Sequence, residues 1–219
     1  MKQALEFDSL MLSFDGRPIL SNVSIKCNTG EIVGLLGRNG SGKSSLMQVV
    51  FGSLAGDYKS VRINGKSLHG NYIKEKHIAY LPQDSLIPDY VRVDKALTLF
   101  GLREEALLDE FPESRDWLRL YPSQLSGGTQ RIVEVLLILK SKAPFCLLDE
   151  PFTGVMPVYV QRLKQIILNT RSEKGIIITD HLYRDVISIT DRLFVLANGQ
   201  TYQVNGESEL QRRGYINSR

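Results

Sequence analysis

The stretch "GRNGSGKSS", Gly37 to Ser45, constrains this chain more than any other. It fits the pattern G-x-x-x-x-G-K-S/T at Gly37, Gly42, Lys43 and Ser44. The short apolar run "EIVGLLG" before it reads as a strand, and "KSSLMQVVFGSL" after it reads as a helix. Glycines let backbone N–H groups approach an anion, and a helix N-terminus adds about half a positive charge. The residue types divide the work. The backbone of Gly37, Arg38, Asn39, Gly40, Ser41 and Gly42 is expected to wrap a β-phosphate, with Lys43 reaching the β- and γ-phosphates, the Ser44 hydroxyl ligating magnesium, and Ser45 completing the set. A lysine about 4 Å from a phosphate charge contributes about 4 kcal/mol at an effective dielectric near 20.

Downstream, "FCLLDEP" is an apolar strand ending in two acids, which places Asp149 at the sheet edge to hold magnesium through its water shell and lets Glu150 address an attacking water. A second glycine-bearing stretch, "LSGGTQR" from Leu125 to Arg131, precedes another helix and offers a second phosphate-binding loop in the same chain.

The rest of the sequence supports one α/β domain. "LEFDSLMLSF", "DGRP" and "ILSNVSIKCN" alternate and turn as antiparallel strands, with Leu20, Val23, Ile25 and Cys27 mostly in one phase. "SVRINGKSL", with an Asn-Gly turn, and "HIAYLP" add strands. From about Asp84 to Lys140, "VDKALTLFGL", "REEALLDEF" and "ESRDWLRLY" show helical spacing, which predicts a helical insert. The α/β texture then returns with the strand "PFCLLDE", a helix from about Pro157 to Asn169, the strand "GIIIT", a hairpin around Asn198 and Gly199, and a terminal helix over Gly206 to Arg213. A chain of 219 residues that is 42% hydrophobic suits a single core. Its 27 basic and 24 acidic residues are scattered, giving a net charge of +3, so no nucleic-acid partner is expected. Cys27 and Cys146 form no metal or redox motif, and Cys146 reads as a small buried hydrophobe. No apolar run approaches the roughly 18 residues of a membrane span, and the N-terminus lacks a signal-peptide pattern. The expected location is cytoplasmic, peripheral to the membrane only through a partner.

"GRNGSGKS", "LPQD", "LSGGTQR", "FCLLDEP" and "IIITDH", in that order, resemble the ATP-binding cassette ATPases, the nucleotide-binding subunits of ABC transporters, over nearly the whole chain. The resemblance implies a P-loop NTPase core of ABC-ATPase type with an antiparallel β subdomain and an inserted helical subdomain. Residues 1–219 would form one domain, with the core at about 1–84 and 141–219 and the helical subdomain at about 85–140. It implies ATP and magnesium as ligands. Gln83 would sense magnesium and the γ-phosphate, and His181 would support hydrolysis at the γ-phosphate. Phe14 sits where the family stacks an aromatic on adenine, although a core phenylalanine fits that position nearly as well. Ser126, Gly127 and Gly128 would bind the nucleotide of a second subunit, so that two copies pair head to tail around two shared sites. A separate transmembrane permease subunit completes the expected assembly.

Some residues depart from the family pattern. Thr129 stands where glutamine is usual, Met156 replaces the aspartate common in the loop after Glu150, and the insert from Gln83 to Leu125 is short. The leading expectation is an ATPase subunit powering a membrane transporter, similar in flavour to those of lipopolysaccharide export and branched-chain amino acid import. Two alternatives stay open at this level: a soluble ATPase of the iron–sulfur assembly type, and a regulatory half of an asymmetric pair.

Overall fold

A computed structural model describes residues 2–212. The order is β1 (Ala4–Phe14), β2 (Arg17–Asn28), β3 (Glu31–Leu36), α1 (Lys43–Phe51), β4 (Tyr58–Ile63), β5 (Lys66–Ser67), β6 (Ile78–Leu81), α2 (Val93–Leu99), α3 (Glu105–Leu108), α4 (Gly127–Leu139), β7 (Phe145–Asp149), α5 (Pro157–Thr170), β8 (Gly175–Thr179), α6 (Tyr183–Ile187), β9 (Arg192–Ala197), β10 (Gln200–Val204) and α7 (Glu207–Arg212). Of the expected terminal helix, Arg213 lies outside the described residues.

Among the described residues, ten strands form two sheets. A four-stranded antiparallel sheet runs β2-β1-β4-β5, and a six-stranded sheet runs β10-β9-β3-β8-β7-β6 with every pair parallel except β10 with β9. Strands covered on both faces read as continuous apolar runs, and alternation then sorts their side chains between two cores. Ile32 and Leu36 of β3, Cys146 and Leu148 of β7, and Ile176 and Ile178 of β8 join the core beneath α4 and α5. Val33 and Leu35, Phe145 and Leu147, and Ile177 face the other way, toward α1 and the antiparallel sheet.

The turns follow their chemistry. Asp15-Gly16, Asn64-Gly65 and Asn198-Gly199 all take positive φ at both residues, which two-residue hairpins require. The mixed phase of β2 has a local cause. Leu10 pairs with Val23 and Met11 with Ser21, so Asn22, at φ 61°, is an extra residue bulged out of β2. Leu20 and Val23 therefore both point inward.

The insert departs from its helical spacing. α3 is a single turn, and "ESRDWLRLY" forms a 3₁₀ turn over Pro112–Asp116 in place of an α-helix. Pro112 lacks an N–H. The carbonyls of Leu118 and Leu120 turn to accept from Asp94 N (2.8 Å) and Val93 N (3.1 Å), which occupies them in starting α2. α4 is buried from Arg131 to Leu139 and shares a core with Ile32, Leu148 and Ile176, so this helix belongs to the sheet as much as to the insert.

Candidate functional site

Four parallel strands deliver the candidate residues from their carboxyl ends, the edge where open α/β sheets place ligands. β3 runs into the Gly37 loop, β6 into Pro82 and Gln83, β7 into Asp149 and Glu150, and β8 into Thr179, Asp180 and His181. A cleft of about 740 Å³ brings together Phe14, Ile19, Asn39, Gly40, Gly42, Lys43, Ser44, Ser45, Gln83, Glu150 and His181. Asp149 lies buried beneath it. Gly37 and the side of the loop formed by Arg38 and Ser41 sit behind, Arg38 and Ser41 facing an adjoining cavity with the Asn198-Gly199 hairpin. Phe14 is 46% exposed on the cleft rim, so it is no core phenylalanine.

The loop needs its glycines for steric reasons. Gly42 takes φ 98° just before α1, and a Cβ there would lie 2.8 Å from Ile19 Cγ2. A Cβ on Gly37 would meet Leu196 O at 2.9 Å. Lys43 Nζ donates to Gly37 O (2.8 Å) and Arg38 O (3.3 Å), holding the ammonium at the mouth of the loop. Burial lowers the Lys43 pKa, against the pull of Glu150, Asp149 and Asp180.

The acidic side is equally organised. Burial raises the Asp149 pKa, opposed by the neighbouring Ser44 hydroxyl, which favours the charged form. Asp149 Oδ2 accepts from Tyr80 Oη at 3.3 Å, whereas its fully buried Oδ1 has no partner of ordinary hydrogen-bond geometry. An orphaned buried carboxylate oxygen beside a serine hydroxyl suits a hard cation, so the residues fit magnesium. Glu150 stands at φ 55°, an uncommon backbone for a non-glycine residue. Its N–H donates to Thr179 O at 2.8 Å and its carbonyl accepts from Arg131 Nε at 3.1 Å, so both flanking peptide groups are held. Its carboxylate receives Gln83 Nε2 at 3.2 Å and Thr153 Oγ1 at 3.1 Å, with His181 Nδ1 at 3.6 Å, all on Oε2. Asp180 accepts from Phe152 N and Leu182 N, both at 2.9 Å, and so ties together the segments that follow Glu150 and His181.

The "LSGG" residues do not line this cleft. Ser126 caps α4, its Oγ accepting from Thr129 N at 3.1 Å and lying 2.8 Å from Thr129 Oγ1. Gly127 faces open space, while Gly128 lies against the backbone of Gly154. Met156 occupies the N-cap of α5, 57% exposed and unable to cap it. Sequence reasoning misses Tyr80, Thr153, Asp180, Arg131 and Glu134. Arg131 and Glu134 do leave a trace, as the two charges three residues apart inside the otherwise apolar helix "RIVEVLLIL".

Comparison with known proteins places the chain. The family described as "ABC transporter" matches residues 20–153. The chain is 34% identical to the lipopolysaccharide export system ATP-binding protein LptB of Haemophilus influenzae, over 95% of each protein. It is 33% identical to LptB of Escherichia coli K12, over 87% of this chain and 86% of that protein. A solved structure of the ATP-binding subunit of an ABC transporter superposes with a TM-score of 0.83 at 24% identity, covering 98% of this chain and 95% of that one. The chain therefore belongs to the ABC transporter family, as an ATPase of its ATP-binding-subunit type.

Proposed function

We propose that this chain hydrolyses magnesium–ATP in the cleft above β3 and β7, in a head-to-tail pair with a second copy, and so powers a separate membrane permease. One observation carries the reading: Lys43, Ser44, Gln83, Glu150 and His181 converge on one cleft, while the "LSGG" loop lies outside it, free to complete a partner's. In this reading the loop from Gly37 to Ser45 and Lys43 bind the phosphates, and Phe14 stacks on adenine. Ser44, Asp149 and Gln83 hold magnesium, which when bound neutralises charge on the phosphate oxygens. Glu150, anchored through Oε2, turns its other oxygen to the attacking water and takes its proton, a contribution of about 10² to 10⁴ in rate. His181 assists at the γ-phosphate. Ser126, Gly127 and Gly128 contact the nucleotide of the second copy.

Residues 85–140 serve in this reading as the subdomain that meets the permease. An apolar groove of about 350 Å³ between Phe51, Ile78, Leu86, Leu99 and Phe100, with Leu99 75% exposed, supports contact with an apolar segment of the permease. No helix among the described residues is long and apolar enough to cross a membrane. In this reading the permease supplies the spanning part, and this chain docks on it from the cytoplasmic face. Glu150 and His181 both stand in the cleft, which favours an active subunit over a regulatory half.

Sedimentation of Glu150→Gln with and without ATP tests the reading. A slow-hydrolysing variant is expected to shift from monomer to dimer only with ATP. A monomer that binds ATP without pairing would refute self-pairing.

A further inference from the structure

Arg131 and Glu134, one turn apart on α4, have no part in the roles above, yet both are buried, at 6% and 2% exposure. Arg131 spreads its guanidinium over two loops. Nη1 donates to Pro82 O at 2.8 Å, Nε to Glu150 O at 3.1 Å, and Nη2 to Asp149 O. Nη1 also meets Glu134 Oε2 at 3.2 Å. The other carboxylate oxygen of Glu134 gathers the segment just after Gln83. Oε1 accepts from Leu86 N (2.9 Å), Ile87 N (3.4 Å) and Ser85 Oγ (3.2 Å), with Gln130 Nε2 at 3.0 Å.

Five of these partners, Pro82 O, Asp149 O, Glu150 O, Leu86 N and Ile87 N, are backbone groups of the two loops that carry the hydrolytic side chains, and the pair ties those loops to one helix. We propose that Arg131 and Glu134 are positioning residues that hold the Gln83 loop and the Asp149–Glu150 loop in register, so that Gln83 and Glu150 meet on one carboxylate oxygen. This rests on the reading of Glu150 as the hydrolytic carboxylate. Stability is an incomplete reason for such a pair: apolar residues could replace the ion pair itself, though they would leave the loop carbonyls and N–H groups without partners. Geometry is a better one. A planar fork with several donors can address three carbonyls at fixed angles, which neither an ammonium nor an apolar side chain can do. One of those carbonyls belongs to Glu150, whose φ of 55° persists only where its surroundings hold it.

The discriminating variant replaces both partners, Arg131→Met with Glu134→Met, in the full chain. It is assayed for ATPase kcat and KM, for ATP binding and for thermal stability, beside wild type and Glu150→Gln. A merely structural pair predicts a less stable double variant, because the loop carbonyls and N–H groups lose their partners, with turnover kept in the folded protein. The positioning role predicts a folded protein with KM for ATP within about two-fold and kcat about 10²-fold lower, the loss expected from a misplacement of about 1 Å. A kcat within about two-fold of wild type would overturn the proposal. Should the double variant not fold, Arg131→Lys decides. It keeps the charge but donates from a single point, so kcat should fall about tenfold at unchanged KM, and full turnover would count against the proposal. Glu134→Gln, which keeps an acceptor in place, should lose less than Glu134→Met; equal losses would remove Glu134 from the role. If Glu150→Gln itself turns over normally, the reading of Glu150 fails first, a result separable from active Met variants beside an inactive Glu150→Gln.

Discussion

Gly127 and Gly128 are neighbours in one loop, but the structure gives them opposite tolerances. A Cβ on Gly128 would lie 2.3 Å from Gly154 O, 3.1 Å from Gly154 C and 3.2 Å from Val155 Cα. All three are backbone atoms, so no side chain can swing away. An ordinary carbon–oxygen contact is about 3.3 Å or longer, which requires Gly128→Ala to push the two segments apart by about 1 Å. Overpacking of this kind costs about 1–3 kcal/mol, or roughly 2–12 °C in Tm for a chain of this size. The displaced loop begins at Glu150 and contains Thr153, whose hydroxyl holds the Glu150 carboxylate, so kcat should fall by about 10²-fold as well. Gly127 lies at the start of α4, and a Cβ added there would have nothing within 4 Å. Gly127→Ala should be neutral or stabilising by up to about 1 kcal/mol through helix propensity. Urea denaturation of the two nucleotide-free variants, with wild type, reads the difference. Equal midpoints for Gly128→Ala and Gly127→Ala would refute the steric reasoning.

Met156 has the extended backbone of an N-cap, φ −62° and ψ 143°, but no oxygen to accept from the first turn of α5. Met156→Asp should raise stability by about 0.5–2 kcal/mol, seen as a higher thermal midpoint. Lys43→Ala removes a contribution of about 4 kcal/mol toward phosphate and should weaken ATP binding about 10²- to 10³-fold by calorimetry; near-normal affinity would contradict the assignment. Glu31 gives a pH signature. Burial raises its pKa, but hydrogen bonds from Arg192 and Asn28 outweigh burial and hold the carboxyl below its ordinary 4.5. The resulting stability is complete above the unfolded value and is lost as pH falls through the lower folded one. Glu31→Gln should therefore be less stable than wild type at pH 7, with the gap closing below about pH 4, as followed by denaturation across pH.

The parts legible in the sequence are those whose signal is local. The Gly37 loop, the three two-residue hairpin turns and the apolar runs of β3, β7 and β8 each announce themselves through residue type or spacing, and the structure forms them where expected. Met156 is visible as an odd residue, and the empty N-cap of α5 gives that oddity a physical meaning. The segment "ESRDWLRLY" misleads because helical spacing competes with a demand made elsewhere: its carbonyls are needed at the start of α2, distant in sequence. Arg131 stands out only as a charge in an apolar helix, and its role escapes notice for a similar reason. Its partners on the loops are carbonyls at positions 82, 149 and 150, and a backbone acceptor leaves no mark on the sequence.

The same class of contact explains how the two glycine-bearing loops of one chain can be related at all. The "LSGG" loop is carried by the first turn of α4, and the next turn of that helix, at Arg131 and Glu134, grips the loops that hold Gln83 and Glu150. Gly128 meanwhile rests directly on Gly154, four residues beyond Glu150. α4 thus has two attachments to the carboxylate loop, one by close packing and one by hydrogen bonds. In a head-to-tail pair, anything that fixes Ser126 and Gly127 against a second copy's nucleotide also fixes the helix that sets the geometry of Glu150 in this copy. No flexible side chain is interposed at Gly128, so its backbone-to-backbone contact with Gly154 does not yield gradually. The two sites would then be linked through one helix with two contacts, and loosening either contact should weaken hydrolysis before it weakens ATP binding.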